Sequence, residues 1–181
     1  RAQLDYHLTP NTNHHIMLTG GILEDMYSGY GMEYLYFKQN TNYAVGFELF
    51  NVKKRDYNWG FGHLDYKNTV YNINLYYRNY GRLPFDMKIS TGEYLAGDKG
   101  TTFEFSRSFN TGLEFGIFAT FTDVSYSEFG EGSFDKGIFF NIPIYGNLID
   151  YTWRPLTKDP GAKLLRKSSL HSLLVKMQPI N

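Results

Sequence analysis

Alternation of apolar and polar side chains at every second position restricts the fold of this chain more than any other feature. In Asn68–Arg78, Tyr71, Ile73, Leu75 and Tyr77 alternate with Asn72, Asn74, Tyr76 and Arg78. Tyr43, Val45, Phe47 and Leu49 alternate with Ala44, Gly46 and Glu48. Leu113, Phe115, Ile117, Ala119 and Phe121 do so with Glu114, Gly116, Thr120 and Thr122. A period of two means strands with one apolar face, because successive side chains point to opposite sides of a sheet.

Turn-forming clusters separate these runs. Pro10-Asn11-Thr12-Asn13, Gln39-Asn40-Thr41-Asn42, Tyr80–Pro84, Gly97-Asp98-Lys99-Gly100 and Asn110-Thr111-Gly112 carry the residues that turns need. The predicted strands are Arg1–Thr9, His14–Glu24, Tyr30–Lys38, Tyr43–Lys53, Asn68–Arg78, Phe85–Leu95, Thr101–Phe109, Leu113–Val124, Gly137–Tyr145, Leu148–Arg154 and Lys167–Met177. That is about eleven strands of the roughly nine to eleven residues that cross a membrane when tilted. Connections alternate between short ones, near Pro10, Gln39, Gly81, Asn110 and Gly146, and longer ones, near Tyr27, Arg55, Gly97, Glu128 and Pro155. The contrast is weakest at Tyr27 and Gly97. Short periplasmic turns and longer outside loops are the habit of outer-membrane barrels.

The expected fold is therefore all-β: an antiparallel transmembrane β-barrel of outer-membrane type, read as a single domain or barrel fragment over residues 1–181. Tyr (16 residues), Phe (15) and Gly (18) dominate, as suits strands and aromatic girdles at membrane interfaces. An odd strand count, and a first strand running into a short turn, predict the C-terminal portion of a larger polypeptide. No run approaches the ~18 apolar residues of a membrane-spanning helix. The 18 basic and 18 acidic residues balance, which argues against nucleic acid as the main partner. Without Cys there is neither a disulfide framework nor a cysteine-bound zinc.

Several strings resemble one family. Phe118-Ala119-Thr120, Glu128 through Gly137, Ile142-Pro143 and Trp153-Arg154-Pro155-Leu156-Thr157-Lys158-Asp159-Pro160-Gly161 look like the C-terminal half of the YjbH family. Lys54-Arg55-Asp56, Gly92-Glu93-Tyr94-Leu95-Ala96 and Phe105-Ser106-Arg107 fit it too, so the resemblance spans roughly Met32 to Lys167. It implies an outer-membrane β-barrel protein, often a lipoprotein, in a Gram-negative bacterium, tied to production or export of exopolysaccharide or capsule. It also implies periplasmic or lipid-anchored accessory proteins as partners, beside the lipid bilayer and the polysaccharide.

Candidate loop and lumen residues are Arg55, Asp56, Glu128, Phe129, Glu131, Ser133, Phe134, Asp135, Lys136, Trp153, Arg154 and Asp159. Glu128, Glu131 and Asp135 put three carboxylates in one loop, with Phe129 and Phe134 able to stack on a sugar ring. The spacing does not match the twelve-residue calcium loop. The preferred reading folds this loop inward, pairing its charges with Lys136, Arg154 or Arg166. A glycosidase pair would need one carboxyl in an apolar pocket, which no pattern here indicates. His14 and His15, as strand neighbours, face opposite ways and cannot chelate together. Tyr76 and Phe118, on polar faces, point to the lumen. The chain is expected to be non-enzymatic and without a cofactor or metal. It would act as a barrel that guides a polymer, as a plugged barrel that recruits accessory proteins, or as a soluble all-β carbohydrate-binding protein.

Overall fold

The computed structural model describes residues 2–58, 60–109, 111–125, 134–144, 149–153 and 170; for residues 143–144 and 149–153 it describes the backbone. The described strands are β1 (Ala2–Asn11), β2 (His14–Ile22), β3 (Tyr27–Phe37), β4 (Tyr43–Arg55), β5 (His63–Asn79), β6 (Phe85–Glu93), β7 (Lys99–Ser108), β8 (Glu114–Thr122), β9 (Asp135–Ile144) and β10 (Ile149–Trp153). Each pairs antiparallel with its sequence neighbours in a single ten-stranded sheet of order β1 to β10. Among the described residues β1 and β10 are its two edges, so these strands make an open sheet and not a closed ring.

Ten of the about eleven expected strands are described; residue 170, expected in the last, sits in a turn, and the rest of Lys167–Met177 lies outside the described residues. Two further expectations need correction. The polar stretch Lys54–Lys67, expected as a long loop, is mostly strand: β4 runs to Arg55, β5 starts at His63, and the connection shrinks to residues 56–62. Polar side chains end a strand only when the backbone ladder ends, and here the ladder continues past a register shift between Lys53 and Arg55. Asp135 and Lys136, expected in the loop, open β9 opposite Thr120 and Ala119.

Turn chemistry explains several of the remaining connections. Gly97 and Gly112 have φ of 86° and 82°. Gly97 N–H donates to Tyr94 O at 3.0 Å while Tyr94 N–H donates to Asp98 O at 2.8 Å. The turn at Phe109–Leu113 repeats this pattern at 2.8 Å for both bonds. Such tight loops need a left-handed residue near their end, which glycine supplies without strain. The β6–β7 connection is thus a tight turn, and the expected contrast between short and long connections fails there.

Register sorts the side chains into two faces. One face carries Leu4, Tyr6, Leu18, Tyr30, Val45, Ile73, Leu75, Met87, Phe103, Phe105, Phe115, Ile117 and Ile138, all exposed. The opposite face carries Thr19, Glu33, Asn72, Asn74, Ser90, Thr102, Ser106, Thr120 and Asp135, all buried. Ile73, Ile117 and Phe115 are 53%, 50% and 44% exposed, whereas Asn74, Ser90 and Thr102 are each 1% exposed. The sheet curls around its polar side.

Glycines on that polar side permit the curl. Gly92 and Gly100 pair across β6 and β7. A methyl group at Gly92 would overlap the carbonyl oxygen of Tyr71, and one at Gly100 that of Phe121. On the same face the Phe50 ring covers Gly31 and the Phe139 ring covers Gly116, filling the space that the missing side chains leave. Gly92→Ala should therefore cost about 1–3 kcal/mol of overlap strain. Gly20→Ala, on the convex face with only ordinary contacts around its Cβ position, should cost far less. Thermal unfolding of the two variants in detergent checks the difference.

Candidate functional site

The concave face has three tiers. Near the β2–β3 and β6–β7 connections, Leu23 and Leu95 turn inward onto Phe50, Val52 and Val70, with Tyr27 packed against them. Toward the other end Met17, Leu35, Phe37, Ala44 and Tyr76 form a second apolar cluster with Leu170. Between them runs a polar belt. Alternation places it there: the paired inward positions from β4 to β9 are Gly46, Asn74, Ser90, Thr102, Thr120 and Asp135.

Hydrogen bonds knit the belt across strands. Asn74 Nδ2 donates to Glu48 at 2.7 Å, and Ser90 Oγ donates to Asn74 Oδ1 at 2.6 Å. Farther along, the Thr102 hydroxyl meets Tyr94 at 2.7 Å and Thr120 at 2.9 Å. Burial pushes the Tyr94 hydroxyl, in the β6–β7 connection, above its ordinary pKa, with the Thr102 bond opposing the shift. Below the belt, Arg78 pairs with Asp86 across β5 and β6, its Nη2 donating at 3.1 Å. Lys88 lies over the Tyr76 ring at 5.5 Å. Neutralising partners and donors make buried charge tolerable on this face.

Leu170 closes the middle. Its backbone N–H donates to Glu33 Oε2 at 2.8 Å, a bond spanning 137 positions. Beside it a cavity of about 10 Å³ is lined by Glu33, Leu35, Gly46, Glu48, Asn74 and Leu170. That is room for about one water.

The candidate residues do not converge. Arg55 donates to the carbonyls of Asp25 and Gly60, each at 3.0 Å, and Asp56 accepts from Tyr57 N–H at 2.7 Å and Asn58 at 3.2 Å. Asp56 serves its own connection, while Arg55 ties that connection to the one between β2 and β3. Phe134 and Lys136 lie on the convex face: Phe134 stacks on Phe121 at 4.5 Å, and the Lys136 ammonium sits 4.8 Å from the Phe134 ring centre. Asp135 faces the other way and is buried beside Thr120. An inward Asp135–Lys136 pairing is therefore replaced by opposite orientations, as adjacent strand positions require. Trp153 pairs with Phe140 through the backbone. Glu128, Phe129, Glu131, Ser133, Arg154 and Asp159, and with them the inward-folding loop, lie outside the described residues. Tyr76 and Phe118 do occupy the concave face. His14 and His15 do face opposite ways: His14 bonds the Tyr34 hydroxyl at 2.7 Å on the convex side. Among the described residues no group of three metal-binding side chains converges.

The family described as "Exopolysaccharide biosynthesis protein YbjH" matches residues 1–176. The chain belongs to the YjbH family. It is 35% identical over 164 residues to a protein of Escherichia coli (strain K12) named "Uncharacterized lipoprotein YjbH". The match covers 85% of this chain and 24% of that relative, so the chain spans about a quarter of the relative's length. No solved structure matches. The family's description names exopolysaccharide biosynthesis, and the motif strings at Glu128–Gly137 and Trp153–Gly161 fall within the matched span.

The belt sets a measurable expectation. Asn74→Leu removes a donor from Glu48 and an acceptor from Ser90 in a buried setting, at a cost of roughly 1–3 kcal/mol. Asn51→Ala breaks the exposed Thr69–Asn51 bond on the convex face and should stay within about 0.5 kcal/mol. Denaturant unfolding of both variants makes the comparison.

Proposed function

We propose that this chain forms wall strands of a non-enzymatic outer-membrane β-barrel that assists exopolysaccharide or capsule production in a Gram-negative bacterium. The observation carrying this reading is the inverted burial: an exposed apolar convex face over a buried polar concave one. A water-soluble sheet hides its apolar face, and contiguous exposed apolar surface of this extent marks a contact with lipid or protein. Lipid-facing strands of outer-membrane barrels show this inside-out pattern with aromatic girdles at the interfaces. Tyr43, Tyr77, Phe85 and Phe105 supply such a row along one edge of the apolar band, with ring centres 5.0, 6.0 and 4.9 Å apart. The same surface weighs against a soluble carbohydrate-binding protein.

Within that reading, the filled concave face favours a plugged barrel that organises periplasmic or lipid-anchored accessory proteins over an open polymer conduit. Leu23, Leu95 and Leu170 all occupy inward space that a conduit would leave to water.

Ile73→Arg in the full-length protein should sharply reduce the folded population recovered in outer membranes. An arginine on a lipid-facing strand costs about 2–4 kcal/mol at the bilayer midplane. Tyr57→Arg, in the exposed 56–62 connection, should leave that population unchanged. Equal recovery of the two variants, read as the heat-modifiable band on gels, counts against the lipid-facing assignment. In planar bilayers the intact protein should be silent; steady conductance favours the conduit.

A further inference from the structure

Cross-strand charge pairs in this sheet are mostly complementary. Lys88 faces Glu104, Arg78 faces Asp86 and Glu93 faces Lys99. Two pairs are like-charged. Glu33 faces Glu48 on the concave side, where each carboxylate receives a donor, from Leu170 N–H and from Asn74. Lys53 faces Lys67 directly across β4 and β5 on the convex side. Both lysines are exposed, and neither has an ion pair or hydrogen bond among the described residues. Asp65, two positions from Lys67, forms no ion pair with it. Like charges directly opposite each other are destabilising, and an anion between them relieves the repulsion.

Position says which anion. Outward along β4 the convex side chains run Val45, Phe47, Leu49, Asn51, Lys53, and along β5 Leu75, Ile73, Tyr71, Thr69, Lys67. The lysine pair thus stands just beyond the apolar band, past the Asn51–Thr69 hydrogen bond of 2.9 Å. Ser28, opposite Lys53 on β3, contacts His63, adding a hydroxyl and an imidazole to the same patch. Two ammonium groups with neutral donors, at the edge of a lipid-facing band, match a phosphate carried on a lipid headgroup.

We propose that Lys53 and Lys67 together clamp the phosphate of a membrane lipid at the bilayer interface. The clamp rests on the lipid-facing reading of the convex sheet. Full-length protein would be reconstituted into nanodiscs of phosphatidylcholine doped with lipid A, and bound lipid counted by native mass spectrometry after detergent release. The expected result is retention of lipid A by the native protein and a loss of roughly tenfold or more in K53Q/K67Q, at about one kcal/mol per lysine near a phosphate surface. K99Q, whose lysine already faces Glu93, should retain lipid A normally. Equal retention in K53Q/K67Q overturns the clamp. Full displacement by millimolar inorganic phosphate also overturns it, because the site would then take a free anion and no lipid. Failure of the native protein to enter nanodiscs would instead overturn the membrane reading itself. Circular dichroism of both variants shows that the sheet is intact in each.

Discussion

The uninterrupted antiparallel ladder from β1 to β10 is the constraint on which the rest depends. A strand can show lipid an apolar side only if its own N–H and C=O groups are already paired, since hydrocarbon offers no substitute for water. Every strand from β2 to β9 has a neighbour on both sides. That leaves side chains alone to decide what each face meets. Because the side-chain period is two, a single-residue slip in register would turn Ile73 and Ile117 inward and Asn74 and Gly116 outward. Turns such as those closed by Gly97 and Gly112 fix the register, and the faces follow from it.

Much of this was legible from side-chain order. The alternations at 43–49, 68–78 and 113–122 named the convex residues correctly, and the two histidines divided between faces as strand geometry demands. The ends of strands were less legible. Lys54, His63 and Lys67 read as loop because they are polar, but strands that pass beyond an apolar band carry polar residues on both faces. Asp135 was read as loop for the same reason, although a concave wall takes acids readily when Thr120 and other polar groups flank it.

The functional face was visible only in outline. Its polar belt is written in the inward positions Glu48, Asn74, Ser90, Thr102 and Thr120, but no short motif marks them, because they come from different strands and meet through pairing. Of Arg55 and Asp56, which sit in a family-like string, Asp56 braces its own connection and Arg55 ties it to the connection between β2 and β3. The family's description names exopolysaccharide biosynthesis, while the described concave face is a largely filled interior in which Glu33 and Asn72 each keep one side-chain oxygen without a hydrogen bond among the described residues. The inward packing of Leu23, Leu95 and Leu170 was hidden because the sequence puts each inside an expected strand, whereas Leu23 and Leu95 lie just past the ends of β2 and β6 and Leu170 sits in a turn.

The bond from Leu170 N–H to the Glu33 carboxylate has a bearing on assembly. It joins the third strand to a point 137 positions downstream, so the carboxylate has no backbone donor from that quarter until nearly all of the intervening hairpins have been laid down. Neighbour-to-neighbour hairpins zip locally and quickly, while such a distant clasp must wait for them. Sealing of the interior is accordingly a late event, and a nascent sheet halted short of it would still hold its acid side open to water.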